Sequence, residues 1–381
     1  MKYKKWAVGF LVFVLAVFGF ICGMNYFVDP FGYFTFRGGD YDTLGTIEVN
    51  DNNYSRFFKA EHVKNYQDEY DAYIIGGSKA GTYLADKMSE IDGYRYYNMF
   101  STVGNFYEYY MNTKYLVENT NVKKIVLNIS GGEVRRYDAE HVGDLYKVPA
   151  LISGKSQAME FIDFLLKDVT VSLGELKEKW TNPEKQTFYP EIGDGARNLE
   201  KYYLRRDEDP KKFTEKYVTN KIDKHLKTLF TKPSERPYYE ENLNAFKMLK
   251  KVCDDNNVEL MVIIAPSFIG EMSEHESEDY WQFLYDMISV TDVWDFSGYN
   301  EIDLNPYNFY NEGHFFYEVY ELMVDTIKGT RSYEGFGTYV TKRNAYEHIE
   351  KRKNEYYKLK KEYEETGTVK LGGFDDASRI R

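Results

Sequence analysis

Hydrophobic and polar positions divide the chain into distinct stretches. Residues 7–24 form an almost unbroken apolar run. A helix rising about 1.5 Å per residue needs about 20 such residues to cross a hydrocarbon layer roughly 30 Å thick. This run, with Trp6 and Tyr26 as interfacial aromatics at its two ends, therefore predicts a membrane span. Beyond residue 70, short apolar runs alternate with helical stripes, the pattern of a parallel sheet with crossover helices. Strands are expected at residues 72–75, 94–98, 124–129, 260–264 and 292–296. Helices are expected from residue 81 to 88, along the face Phe106, Tyr109, Tyr110, Leu116 and Val117, and along Leu243, Phe246, Leu249, Val252 and Cys253. Two more follow at 273–288 and along Val319, Leu322, Met323 and Ile327.

Residues 133–237 break this rhythm with six of the nine prolines and dense charge, and so predict a helical cap inserted into the sheet domain. Their one strongly apolar piece, Phe161-Ile162-Asp163-Phe164-Leu165-Leu166, is too short to span a bilayer and is expected to pack against the sheet domain or line a groove. A charged helix over 341–364 carries a sparse stripe of Ala345, Ile349, Tyr356, Leu359 and Tyr363, which fits docking on the body or on a partner equally. The tail 372–381 is expected to be poorly ordered. The organisation read from these patterns is a cytoplasmic end and anchor (1–26), a juxtamembrane linker (27–70), a sheet domain in two parts (71–132 and 238–330), the cap (133–237), and a C-terminal helix and tail (331–381).

Charge settles an orientation. Lys2, Lys4 and Lys5 precede the apolar run and favour a cytoplasmic amino terminus, which sends everything after Asn25 outward. No small-x-small cleavage site follows the run, and Ile21 before Cys22 suits lipoprotein processing poorly, so an uncleaved single-pass anchor in the cell membrane is expected. With 61 acidic against 49 basic residues the net charge is −12, which argues against a nucleic-acid partner and against a body lying flat on anionic lipid. The two cysteines, Cys22 and Cys253, imply neither a disulfide framework nor a zinc site, and no cofactor is implied. The 37 tyrosines suit stacking on sugar rings, and a general composition bias accounts for them equally well. Asp29-Pro30-Phe31-Gly32-Tyr33-Phe34 is turn chemistry among interfacial aromatics and is expected to set the body's stance on the bilayer.

Candidate chemistry begins at Ser78, which ends the buried-strand pattern Tyr73-Ile74-Ile75-Gly76-Gly77-Ser78. Open α/β sheets place ligands at the carboxyl ends of their strands, and glycine there lets backbone approach a substrate. Far downstream His314 stands in Asn311-Glu312-Gly313-His314, just before the last apolar helix. A serine hydroxyl becomes nucleophilic when a base takes its proton, and imidazole suits that task near neutral pH. The plain alternatives are that Ser78 caps the following helix and that His314 merely lines a pocket. Lys79 either neutralises an anionic substrate or lies on the surface in the first helical turn. His62, His141, His225, His275 and His348 sit in polar stretches and read as solvent-facing.

These motifs and the strand order resemble the SGNH hydrolase superfamily over roughly residues 70–328, most closely its membrane-anchored bacterial branch. That branch assists O-acylation of cell-envelope polysaccharides and D-alanylation of teichoic acids. The resemblance implies a flavodoxin-like α/β fold with a parallel sheet and flanking helices, Ser78 as nucleophile, His314 as base, and Gly104 in the second oxyanion position. Where the family carries glycine, any residue, asparagine and aspartate, this chain reads Ser130-Gly131-Gly132-Glu133, so Gly132 replaces the asparagine. Asn105, Asn128 or a backbone amide would then complete the oxyanion hole. Where the family carries its triad aspartate, Asn311 stands, with Glu312 or Asp303 as alternative acids. The implied function is an esterase or acyltransferase acting on a cell-envelope glycan or teichoic-acid polymer beside a multi-spanning acyltransferase partner. The alternative is a non-catalytic module of the same fold that binds or presents the polymer.

Overall fold

The computed structural model describes all residues except 1, 36, 45–54, 136–146, 184–190, 220–237, 373–378 and 381; the expectations for His141 and His225 lie outside them. Two compact units emerge, one of Met1–Asn65 with Glu140–Tyr189, the other of Tyr66–Ala139 with Pro190–Arg381. The insertion is thus divided between the two.

In the N-terminal unit the apolar run forms the helix Lys2–Val28, of which Tyr3–Val28 is long and apolar enough to cross a membrane. The stretch expected to be a linker contains a helix, Ser55–Tyr66, whose Phe57 and Phe58 are buried. Phe161 and Phe164, in the helix Gln157–Leu165, pack against Phe31, Tyr33, Phe34 and Phe57 of this same unit rather than against the sheet. Tyr33 and Phe164 stack with centroids 4.2 Å apart. Aromatic complementarity explains the difference, because the partners of Phe161 and Phe164 lie more than a hundred residues earlier in sequence and leave no local periodicity.

The sheet unit is α/β. Its strands are β1 (Ala72–Gly76), β2 (Tyr96–Asn98), β3 (Lys124–Ile129), β4 (Glu259–Ile264) and β5 (Val293–Asp295). A short hairpin follows, β6 (Phe309–Asn311) and β7 (His314–Phe315), and then β8 (Thr338–Val340). The main sheet runs β2-β1-β3-β4-β5-β8, parallel except for the antiparallel edge pair β5–β8. The first five strands therefore follow the doubly wound order 2-1-3-4-5. Central strands β1 and β3 are buried at every position, which is why they read as continuous apolar runs rather than as alternating ones. Helices Phe106–Asn119, Tyr239–Asp255 and Tyr317–Ile327 present the expected apolar stripes to the core, whereas the helix expected over 273–288 is broken at Glu276 and Ser277 into Ile269–His275 and Glu278–Val290. Strand β8 is not legible in the sequence: it is three residues long and follows Gly335 and Gly337, both at positive φ.

The C-terminal helix, Ala345–Thr366, docks on this unit through Ala345, Ile349, Tyr356, Leu359 and Tyr363. Its buried stripe also contains Arg352, which bonds Glu276 Oε1 through Nη2 at 2.6 Å and Nε at 2.7 Å and Ser297 Oγ through Nη1 at 2.6 Å. Trp281 Nε1 donates to the second oxygen of Glu276. Removing one member of a buried pair leaves the other charge unsolvated, at a cost of about 3–5 kcal/mol. Arg352→Ala is accordingly expected to lower the urea midpoint of the detergent-solubilised full chain, and a loss below about 1 kcal/mol would show that the helix docks by its apolar stripe alone.

Candidate active site

Ser78 directly follows Gly77 at the carboxyl end of β1. It opens a short 3-10 turn, Ser78–Thr82, whose preceding cap residue is Gly77 and which has no side-chain cap. The backbone there is tightly confined: a Cβ on Gly76 would lie 2.6 Å from the Asn128 carbonyl oxygen of neighbouring β3. Asn98, at the end of β2, holds the turn by donating Nδ2 to Ala80 O at 2.7 Å and Tyr83 O at 2.8 Å. The α-helix that follows begins only at Ala85.

His314 is delivered by the β6–β7 hairpin. Asn311 pairs with His314 across the two-residue turn Glu312-Gly313, and Phe309 and Phe315 anchor the hairpin in the core. The buried ring of Tyr310 stacks beside the imidazole, with centroids 5.5 Å apart. His314 Nε2 lies 2.6 Å from Ser78 Oγ, and His314 Nδ1 lies 2.8 Å from Asn311 Oδ1. Gly313 N–H also donates to Asn311 Oδ1, at 2.9 Å, which identifies that atom as the amide carbonyl. An acceptor facing Nδ1 requires Nδ1 to carry the proton, so the Nε2 lone pair faces the serine hydroxyl. The Ser78 hydroxyl is engaged by His314 rather than by a helix-capping contact. Ser78, His314 and Asn311 are each half-buried.

Burial pushes the His314 pKa down to about 3. The Arg197 guanidinium and the Lys79 ammonium push in the same direction, and the Glu271 carboxylate opposes them. The imidazole is consequently neutral at neutral pH, the form in which Nε2 can accept a proton, and an imidazolium there would face no carboxylate at Nδ1.

The other predicted residues fall in different places. Lys79 is 3% exposed and points inward, where Nζ pairs with Glu271 Oε2 at 2.7 Å and bonds Ser267 Oγ; its charge is spent inside the protein, so neither the substrate-facing nor the surface reading describes it. Gly104 donates its N–H to Ser101 O at 3.1 Å, closing a turn in which Val103 holds φ +60°, a costly conformation for a β-branched residue. Asn105 caps the helix Phe106–Asn119, with Oδ1 accepting from Glu108 N at 3.0 Å. Asn128 Nδ2 donates to Tyr83 OH at 2.6 Å. Gly132 is half-buried in the loop after β3, which Glu133 organises by accepting from Ser130 N at 2.9 Å and Ser130 Oγ at 2.6 Å. Asp303 is fully buried and accepts from Asn300 Nδ2 at 2.8 Å, and desolvation raises its pKa well above the ordinary value. The Nδ1 partner of His314 is Asn311, a position that neither Asp303 nor Glu312 takes.

Three histidines expected at the surface are otherwise placed. His62 and His275 are buried, and His348 bonds Asp295 Oδ2 at 2.7 Å. His275 faces Glu271 of its own helix, and His348 shares Asp295 with Arg352 one turn on.

Two charged residues near His314 have no sequence signal. Arg197 stacks over Phe100 at 5.1 Å and donates from Nη2 to Thr102 Oγ1 at 3.2 Å. Glu271 lies against the hairpin turn, since a Cβ on Gly313 would come within 2.9 Å of its Oε2. Burial raises the Glu271 pKa, but the Lys79 ammonium and a hydrogen bond from His275 outweigh it and hold the carboxylate well below its usual range. Neither belongs to a recognisable motif; both reach the site through long-range packing. Searches against protein-family models and against curated proteins give no match for this chain.

Proposed function

We propose that the chain is a membrane-anchored, extracytoplasmic SGNH-like serine esterase or O-acyltransferase that modifies a cell-envelope glycan or teichoic-acid polymer. The observation that carries this reading is the continuous series Ser78 Oγ, His314 Nε2, His314 Nδ1 and Asn311 Oδ1, at 2.6 Å and 2.8 Å, at the carboxyl edge of a parallel sheet. In the proposed reaction Ser78 Oγ attacks the acyl carbonyl carbon as its proton passes to His314 Nε2. The carbonyl π electrons move to oxygen, where the Ser78 amide stabilises the negative charge; as the opening residue of its turn it has no partner within that turn. Collapse expels the donor alcohol, which takes the proton from His314 and leaves an acyl-serine. A polymer hydroxyl or water, deprotonated by the same imidazole, then releases Ser78. Arg197, the cation beside His314, is suited to an anionic or strongly polar group on the donor or acceptor.

One observation favours the non-catalytic alternative: the atom orienting His314 belongs to an amide, not a carboxylate. The deciding experiment measures polymer acylation in cells expressing Ser78→Ala at normal levels. Loss of acylation is expected. Undiminished acylation would leave polymer presentation as the better account.

A further inference from the structure

The N-terminal unit exposes an apolar surface that its own fold does not use. Seven large apolar side chains between residues 159 and 180 are exposed, whereas those of the sheet unit are scattered singly. The helix Gln157–Leu165 buries Phe164 and turns Met159, Ile162 and the adjoining Leu166 outward. The helix Val169–Thr181 exposes Leu173 (46%), Leu176 (44%) and Trp180 (88%). At 3.6 residues per turn these last three project within a sector of about 60°. Lys177 and Lys179 fall on opposite flanks of that sector, and Glu175 and Glu178 fall on the far side.

The corner between these helices is tied to the end of the apolar N-terminal helix. Asn25, the first residue past the run 7–24, is 1% exposed. Its Nδ2 donates to Leu165 O at 3.0 Å and Lys167 O at 2.7 Å, and its Oδ1 accepts from Ser172 Oγ at 2.7 Å. If residues 7–24 occupy hydrocarbon, Asn25 marks the boundary with the headgroups, and the corner sits at that depth.

We infer that the helical pair 157–181 is a second membrane-contacting element, lying in the interface of the leaflet at the Asn25 end of the span. Met159, Ile162, Leu166, Leu173, Leu176 and Trp180 enter the boundary between acyl chains and headgroups, and Lys177 and Lys179 extend along it to lipid phosphates. Tryptophan suits this layer, having an apolar ring and one N–H donor. The bilayer is the occupant because the surface continues from a helix able to span it and because the charges flanking the second helix are cationic, while Asp163, which flanks the first, is paired with Lys147 and Lys167. The inference rests on reading Tyr3–Val28 as a membrane span.

The test uses the full chain with Cys22→Ser and Cys253→Ala, reconstituted in nanodiscs of mixed phosphatidylcholine and phosphatidylglycerol. Single nitroxide labels are placed at positions 13, 173, 176, 178 and 180, and their relaxation by oxygen is compared with that by a water-soluble nickel complex. Labels at 13, 173, 176 and 180 are expected to respond more to oxygen, and the label at 178 more to nickel. A lipid signature at 13 with water signatures at 173, 176 and 180 would overturn the inference and leave the span intact. Protection of 173, 176 and 180 from both agents would also overturn it, by assigning the surface to a second copy of the chain. A water signature at 13 would remove the span itself, and the inference with it.

Discussion

Ser78→Ala is expected to lower kcat/KM for the proposed acyl transfer or ester hydrolysis by at least about 10³-fold, because without its nucleophile the site retains only binding and oxyanion stabilisation. The fold should scarcely register the change. Ser78 is half-buried, its hydroxyl contacts only His314 among the described residues, and the turn it opens is held by Asn98. Loss of one such hydrogen bond is worth about 1 kcal/mol, so thermal unfolding of the variant should stay close to that of the unmodified protein. This pairing of large kinetic loss with small stability change separates a nucleophile from a structural serine. A variant that kept its turnover would exclude Ser78 from the chemistry.

The opposite effect is expected at Asn311. An aspartate there would keep the two acceptor contacts, to Gly313 N–H and His314 Nδ1, and would place a negative charge about 3 Å from the imidazole. In a serine protease triad, exchange of the aspartate for asparagine lowers kcat by about 10⁴, so Asn311→Asp is expected to raise turnover by about 10²-fold or more. The acid limb of the pH profile should move as well. Activity requires neutral His314, and therefore falls as pH drops through the histidine's pKa. In the natural chain that value is held at about 3 by burial, Arg197 and Lys79. A carboxylate favours the protonated ring, so the limb of Asn311→Asp should lie at higher pH. Unchanged turnover together with an unmoved limb would mean that His314 does not carry the proton.

The sheet and the two side chains that meet at its edge, Ser78 and His314, are legible in the sequence because both leave local marks. Strands β1 and β3 are buried on both faces and read as apolar runs; Ser78 ends the first of them, and His314 directly precedes a helical stripe. Their meeting across 236 residues follows from the sheet topology, since the end of β1 and the hairpin before the last helix converge on one edge. What local pattern does not carry is decided by distant partners. Lys79 reads either as a partner for an anionic substrate or as a first-turn surface lysine, but the turn is 3-10 rather than α-helical and Glu271 draws the ammonium inward. Gly104 is expected in the second oxyanion position and Asn105 as a substitute donor, yet the first spends its amide on Ser101 and the second its side-chain oxygen on a helix cap. The place of the helix Gln157–Leu165 in the N-terminal unit depends on Tyr33 and Phe57, aromatics that no window around Phe164 contains.

The claim that Ser78 is an activated nucleophile is tested most directly by treating the full chain with a fluorophosphonate and mapping the adduct by peptide mass spectrometry. The predicted result is a single phosphonylated residue, Ser78, with labelling lost in both Ser78→Ala and His314→Ala and with both variants folded. Absence of an adduct on the folded natural chain, or labelling of Ser78 that persists in His314→Ala, would contradict the account.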